Sequence, residues 1–242
     1  MPDLNAQSPV GYWVREYPQT SRIFEMHGID YCCGGKISLA EACGRRQIDL
    51  GKLEQELSVC IDQSPSMELP LDSIRLSDLC DSIVLQHHHY LKTELPRLTQ
   101  LIQKVHKAHG SKYPWLDELE SLFAEFRDEL LSHLWKEENI LFPAIKQLEQ
   151  HQNGNPFPFG AIANPIHCME HEHDHAGEFL RRFRELTDNF QVPLDACNTF
   201  RVMMQSLQEL EHDMHQHVHK ENNVLFARAD ELAVSAGAST SP

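Results

Sequence analysis

Four rows of apolar residues, spaced by three and four positions, constrain this chain more than any other feature of its sequence. Such spacing places all members of a row on one face of an α-helix. One row consists of Phe123, Phe126, Leu130, His133, Glu137, Ile140 and Ala144. The rows predict four long helices, over approximately residues 74–109, 116–150, 166–190 and 195–229. Because each helix has one apolar face to bury, we predict an all-α fold built on an antiparallel four-helix bundle.

Turn and capping signals divide the remaining sequence. A small unit before the bundle contains short helical patterns, among them one with Ser38 and Glu41 spaced as a capping box and one with Asp49 as its N-cap. Gly28 is expected to end an earlier helix that follows Pro18. We predict a small helical N-terminal domain at 1–63, a linker at 64–72, the bundle at 73–230 with a loop at 151–165, and a disordered tail at 231–242.

Each apolar row is interrupted by a histidine, and two rows add a glutamate four positions later. A polar side chain on a buried face costs several kcal/mol unless it has a partner. Residues four apart share a helix face, so each histidine and its glutamate point in the same direction. We therefore predict one metal centre shared by all four helices, with the ligands His88, His133, Glu137, His173, His217 and Glu221.

The predicted donor set indicates the metal. Four imidazoles and two carboxylates suit a pair of ions, because each carboxylate can bridge two metals. Nitrogen and oxygen donors without thiolate favour non-haem iron over manganese or zinc, and structural zinc sites usually include cysteine. We predict two iron ions with carboxylate and oxo bridges, and a redox-inert zinc pair is the alternative.

Most other histidines lie off these rows. In "HCMEHEHDHAGEF" only His173 lies on the apolar row, whereas His167, His171 and His175 point elsewhere. In "QHHHY" a small rotation of the helix would exchange His88 for His87, which therefore remains the alternative ligand.

Composition limits the partners and the environment of the chain. The net charge of -15 disfavours nucleic acid and anionic membranes, both of which require a basic surface. No stretch approaches the roughly 18 apolar residues that cross a bilayer, and the first residues show no secretory signal. Seven scattered cysteines fit reduced thiols better than a disulfide framework. We expect a cytoplasmic protein without nucleic-acid or membrane partners.

Several of these segments resemble one family. "HHHYLKTELPRL", "HLWKEENILFP", "MEHEHDHAGEF" and "HVHKENNVLF" are similar to the hemerythrin-like bundle of the iron–sulfur cluster repair, or repair-of-iron-centres, family of di-iron proteins. "HGIDYCCGGKISLAEAC" is similar to the small N-terminal domain of that family. The resemblance covers most of residues 15–230, and it implies the same six metal ligands as the apolar rows.

The resemblance also implies a function. We expect a stress-response protein whose di-iron centre repairs iron–sulfur clusters damaged by nitrosative or oxidative stress. Its expected partners are damaged iron–sulfur proteins, with nitric oxide or dioxygen as small-molecule ligands, and iron donation, nitric oxide binding and nitric oxide reduction all stay open. The alternative is a hemerythrin-like protein that senses dioxygen or nitric oxide or stores iron, although oxygen-carrying hemerythrins use one more histidine. Because 1–63 is small for an independent core, a homodimer could supply the surface it needs.

Cys32 and Cys33 form a separate candidate site. Adjacent cysteines bridge each other only through a strained ring, so a disulfide between them is not expected. Gly34 and Gly35 permit positive φ and the close approach of another group. One hypothesis is a turn with two incidental thiols, and the other is an exposed pair for redox exchange, nitric oxide transfer or transient iron capture. The resemblance favours the second, and His27 could lower the pKa of a thiol.

Overall fold

The described parts of the chain are helical almost throughout. The structure is a computed structural model that describes residues 4–63, 73–150 and 161–238. In these ranges the only β-type pairing is one antiparallel bridge between Pro9 and Ser38, so the predicted all-α class is confirmed. The predicted linker 64–72, residues 151–160 of the predicted loop and residues 239–242 lie outside the described residues.

Short helices make up the N-terminal unit. They are α1 (Val10–Glu16), a 3₁₀ turn (Pro18–Thr20), α2 (Ser21–Met26), α3 (Leu39–Arg46) and α4 (Leu50–Gln63). The side-chain oxygen of Ser38 accepts a hydrogen bond from the backbone N–H of Glu41, and Asp49 caps α4 in the same way through Lys52. Both predicted caps are confirmed, whereas α1 was not predicted.

Four helical arms form the bundle. The first comprises α5 (Leu76–Ile83), a π-helical turn (Val84–His88) and α6 (His89–His109); the second comprises α7 (Trp115–Lys136), a π-helical turn (Glu137–Leu141) and α8 (Phe142–Gln150). The third is α9 (Ala163–Leu186), and the fourth comprises α10 (Asn198–Lys220), a π-helical turn (Glu221–Phe226) and α11 (Ala227–Ala238). The α6 helix packs on α7 and α10, and α9 packs on the same two helices, which closes the four-helix bundle.

The observed helix ends correct three predictions. The third helix ends at Leu186 rather than near 190, because Asp188, Asn189 and Phe190 have φ values of 50°, 58° and 59° in the left-handed region. The fourth helix begins at Asn198 rather than 195. The predicted disorder from residue 231 is wrong as far as Ala238, because α11 continues and packs Leu232 and Ala233 against the bundle.

The π-helical turns also change which residues face the core. Ile140, which the spacing placed on the buried row, is 40% exposed, and Leu141 is buried in its place. In the π-helical turn Glu137–Leu141 the backbone hydrogen bonds join residues five apart instead of four, so Leu141 faces the core in place of Ile140.

The buried apolar residues form two separate clusters. The larger cluster includes Leu91, Phe126, Leu180 and Met214, and the N-terminal unit packs into it. The smaller cluster joins α5, α8, α11 and the start of α9. Along each arm, the predicted metal ligands lie between residues of one cluster and residues of the other. Within the described ranges, no helix has the length and apolar character that a membrane crossing requires.

Candidate metal centre

The structure brings all six predicted ligands together inside the bundle. Two groups form, each with its donor atoms within 4.8 Å of one another: His88 with His217, and His133 with His173. Glu137 and Glu221 belong to both groups. All six side chains are buried. The two groups together make one continuous polar layer, and each group could hold a metal ion.

Three of the four arms place their ligands at π-helical turns. The first such turn ends at His88, the second begins at Glu137 and the third begins at Glu221. A π-helical turn widens the helix locally and is frequent at functional sites. The α9 helix, which carries His173 alone, is continuous α-helix from Ala163 to Leu186.

The two shared carboxylates each face both groups. The Oε1 and Oε2 atoms of Glu137 lie 3.3 Å from Nε2 of His133 and of His88, respectively. The Oε1 and Oε2 atoms of Glu221 lie 3.0 Å and 3.2 Å from Nε2 of His217 and of His173. Each carboxylate therefore directs one oxygen to each group of histidines.

Three of the four imidazoles are oriented by a partner on their outer nitrogen. The Nδ1–H group of His88 donates to Glu138 at 2.8 Å, and that of His133 donates to Glu172 at 2.9 Å. The third, on His173, donates to Asn222 at 2.8 Å. An Nδ1–H donor leaves the Nε2 lone pair free and directed at the centre, as ligating histidines require.

His217 differs from the other three. Its Nδ1 has no hydrogen-bond partner within the described part of the chain, and its ring stacks on His87 at a centroid distance of 5.3 Å. His87, the alternative ligand from the sequence, is engaged elsewhere: Nδ1 lies 2.8 Å from Asp213 and Nε2 lies 2.9 Å from Nζ of Lys220. His88, and not His87, therefore reaches the centre.

Charge in the centre is balanced between acids and bases. Burial opposes protonation of His88, yet Glu137 and Glu221 raise its pKa to about 10. Burial likewise opposes protonation of His133, and Glu137 with Glu172 raises its pKa to about 10. Although burial acts in the opposite direction, His217 and His173 hold the pKa of Glu221 well below its usual value. The carboxylates are thus ionised and attract cations.

The donor atoms fit a metal pair. Both side-chain oxygens of Glu137 and Oε2 of Glu221 are buried and make no hydrogen bond within the described residues. Buried oxygens without partners are rare in proteins and require an explanation. Cations bound between the two groups would satisfy all of these oxygens, and the nitrogen and oxygen donors suit iron.

An open cavity reaches one side of the centre. It has a volume of about 370 Å³ and lies between α7 and α9. Phe126, Leu130 and Phe179 form part of its apolar lining, and His133 and His173 form its inner end. A small apolar molecule can therefore approach the His133–His173 side of the centre.

The turn that carries Cys32 and Cys33, residues 30–35 and named the thiol turn below, lies against the same side. Sγ of Cys33 is 3.4 Å from the carbonyl oxygen of His173. The expectation of an exposed pair is wrong for Cys32, which is 4% exposed. Hydrogen bonding to Cys33 and burial raise the pKa of the Cys32 thiol, so it is a poor nucleophile. His27 does not pair with the thiols, because its Nε2 lies 2.7 Å from Glu56.

A tight contact docks this turn on the bundle. Asn223 donates from Nδ2 to the carbonyl oxygens of Tyr31 and Cys32, both at 3.2 Å. A Cβ atom on Gly35 would lie 2.4 Å from the carbonyl oxygen of Tyr31 and 2.8 Å from Oδ1 of Asn223. Glycine at position 35 thus allows the backbone to approach Tyr31 and Asn223 closely. Neither Gly34 nor Gly35 adopts the positive φ that the sequence permitted.

The apolar rows missed three residues that orient the imidazoles. Glu138 follows the ligand Glu137, Glu172 precedes His173, and Asn222 follows Glu221. Each lies off its own row and reaches a histidine on another arm. The sequence feature that could have identified these three residues is that each is polar and adjacent to a predicted ligand.

Comparison with known proteins adds to the geometry. Residues 81–229 match the hemerythrin HHE cation binding domain, and residues 6–60 match ScdA_N, a domain of unknown function. The chain is 39% identical over 222 residues to the iron-sulfur cluster repair protein YtfE of Edwardsiella ictaluri (strain 93-146). It is 37% identical over 226 residues to the protein of that name from Enterobacter sp. (strain 638) and 36% identical over 222 residues to that from Escherichia coli O1:K1 / APEC. Each similarity covers 91% of this chain and 96% of the relative.

Proposed function

The chain belongs to the hemerythrin HHE cation-binding family, and on that premise we propose that it is a di-iron protein that repairs iron–sulfur clusters damaged by nitrosative or oxidative stress. One observation carries the proposal: two buried histidine pairs share both carboxylates of the centre, in a chain similar over nearly its whole length to proteins named for such repair. A shared pair of carboxylates is suited to two ions and not to one.

In this proposal His88 and His217 would hold one iron, His133 and His173 would hold the other, and Glu137 and Glu221 would contribute to both. Two iron ions bound there would supply Lewis-acid and one-electron redox chemistry. The chain supplies orientation through the outer hydrogen bonds, and burial excludes bulk water. The two carboxylates would offset part of the positive charge of the ions.

The proposed partners follow from this role. The clients are damaged iron–sulfur proteins, which receive iron from the centre, and the net charge of -15 favours clients with basic patches. All seven cysteines are free, which supports a reducing cytoplasm as the place of action. Cys32 and Cys33 serve in thiol redox or transfer beside the centre. A homodimer is the proposed assembly, although the N-terminal unit already packs on the bundle of its own chain.

A second candidate function is binding or reduction of nitric oxide, or sensing of dioxygen, at the same centre. The cavity that ends at His133 and His173 favours it, because its apolar lining admits a small uncharged molecule. Oxygen carriage is the less favoured variant, since the additional inward histidine it would use is not found within the described residues. His87 lies closest to that role and is bonded to Asp213 and Lys220.

Reactivation of a client tests the proposed repair. A purified iron–sulfur enzyme, inactivated with nitric oxide, is incubated with the iron-loaded protein, and recovery of its activity is measured. We expect recovery with the wild-type chain, none with His173→Ala, and full recovery with His171→Ala, whose side chain is exposed. Reversible binding of nitric oxide or dioxygen without recovery of any client would favour the second candidate instead.

A further inference from the structure

The thiol turn gathers three potential metal ligands outside the buried centre. Sγ of Cys32 lies 3.9 Å from Sγ of Cys33 and 3.2 Å from Oδ1 of Asp30. These three atoms lie within 4.8 Å of one another. The Sγ–Sγ distance is nearly twice the length of a disulfide bond, about 2.05 Å. Two reduced thiols and a carboxylate therefore face one small volume.

The separation of the two sulfurs matches a chelated cation. Two sulfurs that bind one tetrahedral ion at about 2.3 Å each are separated by about 3.8 Å. The observed 3.9 Å agrees with the edge of such a tetrahedron. The carboxylate of Asp30 accepts hydrogen bonds from the backbone N–H groups of Cys32 and Cys33, at 3.0 Å and 2.9 Å. These hydrogen bonds hold the carboxylate beside both thiols.

We propose that Asp30, Cys32 and Cys33 form a mononuclear site for a borderline divalent cation, of the class of Fe²⁺ and Zn²⁺, distinct from the buried pair. Thiolates select such ions over Mg²⁺ and Ca²⁺, which prefer oxygen donors. Binding forms two metal–sulfur bonds and one metal–oxygen bond and releases both thiol protons to solvent. No electron is transferred in this step.

The remaining side of the site is open. A cavity of about 220 Å³ adjoins the two thiols and is lined also by Lys36, Glu170, Asp174, Asn222 and Asn223. Sites with three protein ligands and one free position exchange that position with an incoming group. The fourth ligand can therefore be water or a donor atom from another protein.

The site is next to the buried centre. Sγ of Cys33 contacts the carbonyl oxygen of His173 at 3.4 Å, and Cys32 contacts Asn222, which accepts from the imidazole of His173. The thiols are placed to receive an ion that leaves the His173 side and to present it to a client. This transfer role rests on the proposed function, whereas the existence of the site does not.

Titration of the metal-free full chain with Co²⁺ tests the site. Thiolate-to-Co²⁺ charge transfer absorbs in the near ultraviolet, and histidine or carboxylate ligands produce no such band. We expect the band in the wild-type chain, its loss in Cys33→Ser, and its shift to higher Co²⁺ concentrations in Asp30→Asn, which retains an oxygen acceptor for the turn. Zn²⁺ should then bleach the band by displacing Co²⁺.

Two controls separate this site from other metal sites in the chain. The double variant Cys168→Ser/Cys197→Ser removes two exposed thiols elsewhere and should retain the band, and His173→Ala should retain it while the buried centre loses metal. No band in the wild-type chain, or a band that persists in Cys33→Ser and disappears in the double variant, would overturn the proposal. A normal band together with failed client reactivation would count against the proposed repair alone.

Discussion

Asn222 accepts a hydrogen bond from His173, with 2.8 Å between Oδ1 of the amide and Nδ1 of the imidazole. The amide nitrogen of the same side chain lies 3.5 Å from the carbonyl oxygen of Cys32. One asparagine thus contacts both a predicted metal ligand and the thiol turn of the N-terminal unit. Because the Nδ1–H bond orients the imidazole, metal binding at His173 and docking of the turn are coupled through this residue.

Replacing Asn222 with alanine should weaken metal binding at the His133–His173 position. Loss of an outer partner of a ligating histidine typically lowers metal affinity by roughly 10–100-fold. Competition with a calibrated chelator measures the affinity. Asn222→Asp is the matched control, because it keeps an acceptor for His173 Nδ1 and should stay near the wild-type value. Equal weakening in both variants would argue against orientation as the cause.

Replacing His173 with alanine should lower the iron content and bleach the absorption of the iron pair, because the group with His133 loses an inward nitrogen. His171→Ala and His175→Ala should leave both properties nearly unchanged, since these side chains are exposed on other faces of α9. Metal analysis and an optical spectrum of each purified variant provide the measurement. Equal losses in all three variants would show that the inward face assigned to α9 is wrong.

The metal-free and iron-loaded chains should differ in how their stability depends on pH. In the metal-free chain the pKa values of His88 and His133 are raised from 6.5 to about 10, so protonation stabilises the fold. This stabilisation is complete below pH 6.5 and is lost as the pH rises through 10. In the loaded chain metal replaces those protons, and stability should rise up to about pH 6.5 and then level off. Thermal unfolding between pH 6 and 10, with and without a chelator, measures both slopes; parallel slopes would contradict the prediction.

Replacing Gly35 with alanine should displace the thiol turn from the bundle. The added Cβ would lie 2.4 Å from the carbonyl oxygen of Tyr31 within the turn itself and 2.8 Å from Oδ1 of Asn223 on the bundle, and such overpacking costs about 1–3 kcal/mol. Alkylation of Cys33, followed by mass spectrometry of its peptide, should become faster. Gly44→Ala is the control, because a Cβ there meets nothing within 4 Å. Unchanged alkylation in Gly35→Ala would show that the turn tolerates the contact.

The bundle and the inward residues could be predicted because burial imposes a regular spacing on each helix. Every histidine predicted to face the interior does so, and the family indicated by the motifs is confirmed. The π-helical turns could not be predicted, because a single such turn inside an α-helix has no characteristic residue types. Ile140 was therefore placed on the wrong face.

Contacts between arms could not be predicted from the spacing of apolar residues either. Glu138, Glu172 and Asn222 lie outside the apolar rows, and their partners are tens of residues away in the chain. The docking of the N-terminal unit depends on the fit of Asn223 beside Gly35, which only the folded chain brings together. The end of α9 depends on three residues with positive φ, of which Phe190 carries no such signal.

The separation of the apolar core into two clusters has a consequence for cooperativity. The smaller cluster, with α5, α8 and α11, is joined to the larger one across a layer of four imidazoles and two carboxylates. Metal ions bound in that layer would connect all four arms, whereas without them the layer contains buried charges and oxygens without hydrogen-bond partners. The end of the bundle around the smaller cluster can then open at a lower free energy than the rest. We therefore expect iron occupancy to determine whether the bundle unfolds as one cooperative unit or as two.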